Sequence, residues 1–191
     1  MESEKAASII EEVFGLYEKY GSSDYIGEPV SQIEHMCQAA ALAEKEGYDD
    51  EVVLAAFFHD IGHLCEHILP VRLMDGLGVM DHERLGAGYL RDKGFSERLT
   101  SLVQSHVAAK RYLTYKFPDY YDKLSSASKI TLEKQGGVMN EREAQAFEKE
   151  EWHNLFIKLR EWDDLAKMEH LPLPSLDRYR EMAYRHLLNR S

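Results

Sequence analysis

Apolar residues recur at intervals of three and four along most of this chain, and no run alternates apolar with polar positions in the manner of a half-buried strand. That pattern predicts an all-α fold. A first helix reads from about Ser3 to Tyr20, with Ile9, Val13, Phe14 and Tyr17 on one face, and the run Gly21-Ser22-Ser23-Asp24 breaks it. A second runs from about Ser31 to Glu46 and stops at Gly47. Asp49 or Asp50 caps a third, whose Val52, Val53, Ala56, Phe57 and His59 lead on to about Glu66, with Pro70 beyond. A loop through Met74, Gly76 and Gly78 precedes a helix from about Asp81 to Lys93 that ends at Gly94, and Ser96 caps the helix carrying His106.

The second half of the chain is less regular. A short helix follows Pro118, and the stretch from about Ser125 to Gly137 reads as irregular, with its paired glycines marking a turn. Asn140 with Glu143 resembles a capping box. From about Trp152 to Met168 the pattern is strongly amphipathic, with Leu155, Phe156, Leu159 and Trp162 facing the core; Pro172 and Pro174 end it, and Ser175 caps a last helix to about Leu188. No repeat or linker divides the 191 residues, so residues 1–191 are expected to form a single domain.

Composition narrows the partners. A hydrophobic share of 44% with 30% charged residues belongs to an ordinary globular protein, and no stretch reaches the ~20 apolar residues of a membrane span. The net charge of −11 disfavours a nucleic-acid partner, which would draw on clustered Lys and Arg. It does not exclude a small anionic substrate held by a few cations in a cleft. The acidic start Met1-Glu2-Ser3-Glu4-Lys5 is unlike a secretory leader, and Cys37 and Cys65 fall inside apolar runs as buried thiols, so a reducing cytoplasm is the expected location.

The nine histidines direct attention to metal chemistry. His59-Asp60 ends the apolar stretch Leu54-Ala55-Ala56-Phe57-Phe58, and a carboxylate placed there normally pairs with a cation or a metal, because leaving it desolvated costs several kcal/mol. One His-Asp pair is weak evidence. The rest of the set strengthens it: His35 on the preceding helix, His82 and His106 on the two that follow, and Asp163 on the long later helix. Six such ligands suit two first-row ions sharing Asp60, each with room for substrate or oxygen.

The order His35 … His59-Asp60 … Asp163 resembles the HD-domain superfamily, and His82 and His106 match the two extra histidines of its dinuclear members. The neighbouring Asp164 competes with Asp163 for the last position; Asp163 is preferred because the run Asp163-Asp164-Leu165-Ala166-Lys167 resembles the ending of the family's oxygenases, an Asp followed four places later by Lys. A closer resemblance lies in Asp24-Tyr25-Ile26-Gly27-Glu28, followed by Gln32, Glu34 and His35, and extends through His59-Asp60-Ile61-Gly62-His63, Asp81-His82-Glu83, Ser105-His106-Val107-Ala108-Ala109-Lys110 and Trp162-Asp163-Asp164. These are similar to the mixed-valent di-iron oxygenases of the PhnZ and TmpB type, which cleave the carbon–phosphorus bond of 1-hydroxy-2-aminoethylphosphonates.

The resemblance implies two iron ions, Fe2+ and Fe3+, with O2 as co-substrate and no flavin or nicotinamide, the products being phosphate with glycine or, from the N-trimethyl substrate, glycine betaine. It also implies roles around the metals. Lys110, four residues after His106, places a positive charge beside a phosphonate; His63, four after His59, supports a ligand or donates to the phosphonate; Ser126 and Ser105 are further substrate contacts. Glu28 holds an ammonium group, and Tyr25 occupies the vacant iron position until substrate displaces it. His67, His153, His170 and His186 fit no ligand position. The main rival is a phosphohydrolase of the same superfamily acting on a nucleotide or small phosphate ester; an inositol-type oxygenase and a non-catalytic regulatory domain are weaker ones. The sequence leaves free amine against trimethylammonium open, and with it the oligomeric state.

Overall fold

In the computed structural model, which describes residues 1–25, 27–74 and 76–189, the apolar run from Val52 to Phe58 forms a helix buried on every side, α3 (Asp50–Phe58). Ile26 and Asp75, each within a motif read from the sequence, lie outside the described residues. Asp49 caps α3 by accepting the backbone N–H groups of Glu51 and Val52, both at 3.1 Å. Around it lie α1 (Ser3–Tyr20), α2 (Gln32–Lys45), α6 (Glu97–Lys116), α10 (His153–Leu165) and α11 (Asp177–Leu188), all of which pack on it or on one another. One continuous apolar cluster joins them, with Phe14, Tyr17, Phe57, Phe58 and Tyr179 stacked or edge-on at its centre. The described residues are helical with no strands, and none of their helices is long and apolar enough to cross a membrane.

The local chemistry at helix starts follows the side chains. Ser31 and Glu34 make a reciprocal capping box at α2, as do Asn140 and Glu143 at α9 (Glu141–Phe147). Ser96 accepts the Leu99 N–H at the start of α6. Ser175 accepts the Asp177 N–H at 3.2 Å, one residue outside the last helix, where Leu176 holds the cap position.

Two expectations are corrected. The third helix does not run on to Glu66: it ends at Phe58, and the chain restarts as α4 (Ile61–Leu64) and a 3-10 turn over Cys65–His67. The apolar periodicity continues through the break, which is why the pattern conceals it. The stretch from Ser125 to Gly137 is not irregular but holds α8 (Ser126–Lys134), capped by Ser125, which accepts the Ser128 N–H at 3.1 Å. The glycine pair comes only after that helix, both residues with positive φ.

Candidate metal centre and substrate cavity

The break after α3 places the central pair. Asp60 leaves the helical region with φ −105° and ψ 12°, and its carboxylate makes no capping hydrogen bond to the following helix α4. The chain then passes close to the start of α5 (His82–Asp92): a Cβ on Gly62 would lie 1.9 Å from the His82 carbonyl oxygen. Only a glycine allows that approach, and the approach brings His82 beside Asp60. Asp81, in the left-handed region at φ 57°, turns the chain into α5.

Around Asp60 the structure brings together two groups of buried ligands. Its Oδ2 lies 3.6 Å from His35 Nε2 and 3.5 Å from His59 Nε2, which are themselves 3.0 Å apart, and Asp163 Oδ1 stands 3.3 and 3.9 Å from the same two nitrogens. Its Oδ1 lies 3.3 Å from His82 Nε2 and 3.2 Å from His106 Nε2, with 2.9 Å between those nitrogens. Asp60 thus addresses one group with each oxygen.

The tautomers are fixed from behind. Each of the four rings directs Nδ1 at a backbone carbonyl: His35 at Ala166 (2.9 Å), His59 at Ala56 (2.8 Å), His82 at Val79 (3.3 Å) and His106 at Val103 (2.9 Å). A carbonyl only accepts, so each Nδ1 carries the hydrogen and each Nε2 presents a lone pair to the centre. Burial pushes His59 down to about 4, so that ring is neutral. At His35 and His82 burial also opposes charge, but the hydrogen-bonding carboxylates of Asp163 and Asp60 prevail and raise both. Paired ring nitrogens about 3 Å apart with carboxylates beside them form a donor set suited to a metal ion, and Asp60 Oδ1 is a buried acceptor with no hydrogen-bond donor of its own. The residues present therefore fit metal binding on both sides of Asp60.

His63 differs. The Val79 N–H donates to its Nδ1 at 3.2 Å, and burial pushes the ring down to about 3. A neutral imidazole accepting at Nδ1 carries its hydrogen on Nε2. By distance His63 groups with Asp60 and His82, and it stacks on His82 with ring centres 4.1 Å apart, yet its tautomer turns a donor to the cavity where the other four turn an acceptor to Asp60's surroundings.

A cavity opens on this centre, lined by Tyr25, Glu28, Asp60, His63, Lys110 and Arg160 among others. Tyr25 stacks on His35 and donates its hydroxyl to Asp60 Oδ2 at 2.8 Å; burial, then the nearby Asp60 charge, raise its pKa and keep it protonated. The loop carrying Tyr25 rests on α8 through Gly27, where a Cβ would come within 2.8 Å of the Ala127 methyl. Glu28 Oε1 accepts from Ser125 Oγ (2.6 Å) and Lys167 Nζ (2.7 Å). Lys110 is buried and donates to Thr131 at 3.0 Å; burial, then the Arg160 charge, bring its pKa down to about 7.

Two expected contacts fall elsewhere. Ser126 is exposed on the first turn of α8 and does not line the cavity; Ser128 and Thr131, further along the same helix, do. Ser105 sits beside His106 on α6, about 100° round the helix, donates to the Leu102 carbonyl at 2.7 Å, and lines a separate cavity with Gln104 and Phe156. Asp163 and Asp164 are separated in role: Asp164 pairs with Arg160 and Tyr120, while Asp163 turns Oδ1 to the two histidines. Arg160 has no role in the sequence reading. It is buried, donates to Asp163 Oδ2 at 2.6 Å and to Tyr120, and its place three residues before Asp163 on one helical face is the signal that finds it. Gln32 and Gln135 also line the cavity, each with a buried, unpartnered side-chain oxygen.

Residues 32–152 match the HD domain. The chain belongs to the HD-domain family. Within its helical frame the HD-domain match starts just before His35 and spans His59, Asp60, His82 and His106. Relatives cover almost the whole length. A [1-hydroxy-2-(trimethylamino)ethyl]phosphonate dioxygenase (glycine-betaine-forming) of Leisingera caerulea is 36% identical over 93% of this chain and 90% of that protein. A hydroxymethylphosphonate dioxygenase of Gimesia maris is 38% identical over 87% of this chain and 82% of its own. An uncharacterised protein, L432, of Acanthamoeba polyphaga mimivirus is 43% identical over 92% of this chain and 80% of its own.

Proposed function

We propose that this HD-domain protein is a di-iron oxygenase that uses O2 to cleave the carbon–phosphorus bond of a 1-hydroxy-2-aminoethylphosphonate, with free or trimethylated amine, releasing phosphate with glycine or glycine betaine. The observation that carries the reading is the convergence on one cavity of a carboxylate shared between two imidazole pairs and of cations and donors suited to a phosphonate. Names of the two phosphonate dioxygenases among its relatives support the reaction class.

His35, His59 and Asp163 would hold one iron, His82 and His106 the other, with Asp60 between them. Bound iron would supply Lewis-acid activation of the substrate hydroxyl and the redox reaction with O2. The chain's own groups then divide the remaining work. Lys110 sets a buried positive charge beside the phosphonate, and Arg160 adds a second while holding Asp163 in place. The His63 Nε2–H donates to a phosphonate oxygen. Tyr25 holds Asp60 through its hydroxyl and stands where an arriving substrate would displace it. Glu28 faces the far end of the substrate. The same metals would serve a phosphohydrolase; the two dioxygenases among the relatives favour the oxygenase reading.

Aerobic incubation of the iron-loaded protein with both hydroxyphosphonates tests this. Phosphate together with glycine or glycine betaine is the expected result; recovery of both phosphonates intact overturns it.

A further inference from the structure

Glu28 is the carboxylate that lines the cavity away from the metal centre, Asp60 and Asp163 being committed to the histidines. With 8% of its side chain exposed, it should give the cavity one strongly negative end. It does not, because Lys167 Nζ sits 2.7 Å from Oε1 and Ser125 donates to the same oxygen. Glu28 lines the cavity and Lys167 does not, so the cavity meets the carboxylate of the pair and not the ammonium. An ammonium held so closely to the carboxylate cancels a large part of its attraction for a cation in the cavity.

We propose that Lys167 is a specificity-determining residue, whose ammonium neutralises Glu28 and thereby disfavours substrates with a fixed quaternary charge. This rests on the phosphonate reading above. A trimethylammonium has no N–H to donate and is held by net negative charge and aromatic faces, so it loses most from the pairing. A free ammonium keeps a hydrogen bond to Glu28 Oε2, and a hydroxymethylphosphonate has no tail to place there. The two substrates named for the relatives differ in this very group.

The test is calorimetric binding, without oxygen, of hydroxymethylphosphonate and of its 1-hydroxy-2-(trimethylamino)ethyl counterpart to the iron-loaded wild type, Lys167→Met, Lys167→Gln and Lys167→Arg proteins. The expected result is a tenfold or larger shift of the affinity ratio toward the trimethylammonium in K167M, the same direction in K167Q, and a wild-type ratio in K167R. Circular dichroism identifies any variant that fails to fold, and the other neutral variant then decides. Binding with an unmoved ratio overturns the role of Lys167 alone. Absence of binding by either phosphonate to any of the four proteins overturns this role and the phosphonate reading together.

Discussion

His35 and His59 meet Nε2 to Nε2 at 3.0 Å, each with its other nitrogen donating to a backbone carbonyl. The pair arrives from two helices, and no proton is available to both nitrogens without charging a fully buried ring. A metal ion resolves the conflict, and the matched nitrogens of His82 and His106 on the other side of Asp60 pose the same one. Metal is therefore expected to stabilise the fold. At ~100 times its dissociation constant a bound ion contributes about 2.7 kcal/mol, which for a domain of this length corresponds to a Tm rise of roughly 5–10 °C. Scanning calorimetry before and after chelation measures it, and elemental analysis should find two ions per chain, falling to one in His106→Ala.

Arg160 should be as necessary as the ligands although it binds no metal. Its guanidinium joins Asp163, Asp164 and Tyr120 with almost no exposure. Removing one partner of a buried ion pair costs about 3–5 kcal/mol. Arg160→Met should lower Tm sharply and reduce occupancy of the site that uses Asp163, and Arg160→Lys should not restore it, because an ammonium lacks the fork that reaches both carboxylates. Thermal melts and metal analysis on both variants check this.

His63 offers a contrast with the four histidines whose Nε2 atoms surround Asp60. Since its Nε2 is a donor, His63→Ala should retain both metal ions while phosphonate affinity falls by roughly tenfold, the worth of one charge-assisted hydrogen bond. Metal content and phosphonate titration of the same sample separate the two; loss of an ion would make His63 a ligand after all.

Lys110 sets a pH dependence. With its pKa brought down to about 7 by burial and then by Arg160, it is an ammonium below that pH and neutral above it. The cation favours an anionic ligand, so kcat/KM for a phosphonate should fall as pH rises through about 7, reporting the free protein. Lys110→Met should be weaker than wild type at pH 6 and should lose that step. A profile rising through 7 in the wild type contradicts this role.

Most of the fold was legible because the helices are amphipathic and their starts carry explicit caps at Ser31, Asp49, Ser96 and Asn140. The interruption at His59-Asp60 was not, since the residues on either side are equally apolar and the break is imposed by tertiary packing of Gly62 on the start of α5. Helix α8 was hidden by its serines and the glycines after it, and the error carried through to Ser126, whose hydroxyl faces outward once Ser125 is recognised as the cap. The six candidate ligands stood out as costly residues in an apolar setting, with Asp163 separated from Asp164 only by resemblance, and the structure brings all six together. The surround was less so: Arg160, Thr131 and Gln135 reach the cavity through packing of α10, α6 and α8, which no local pattern encodes. The choice of Asp163 over Asp164 could be argued from Lys167, but that lysine turns to Glu28.

The oxygenase and the hydrolase readings separate most directly in one experiment: phosphate release from a 1-hydroxy-2-aminoethylphosphonate by the iron-loaded protein, followed together with oxygen uptake in air and repeated under argon. An oxygenase gives one phosphate per O2 consumed and none under argon. Equal phosphate release under both atmospheres, with no oxygen consumed, would contradict it.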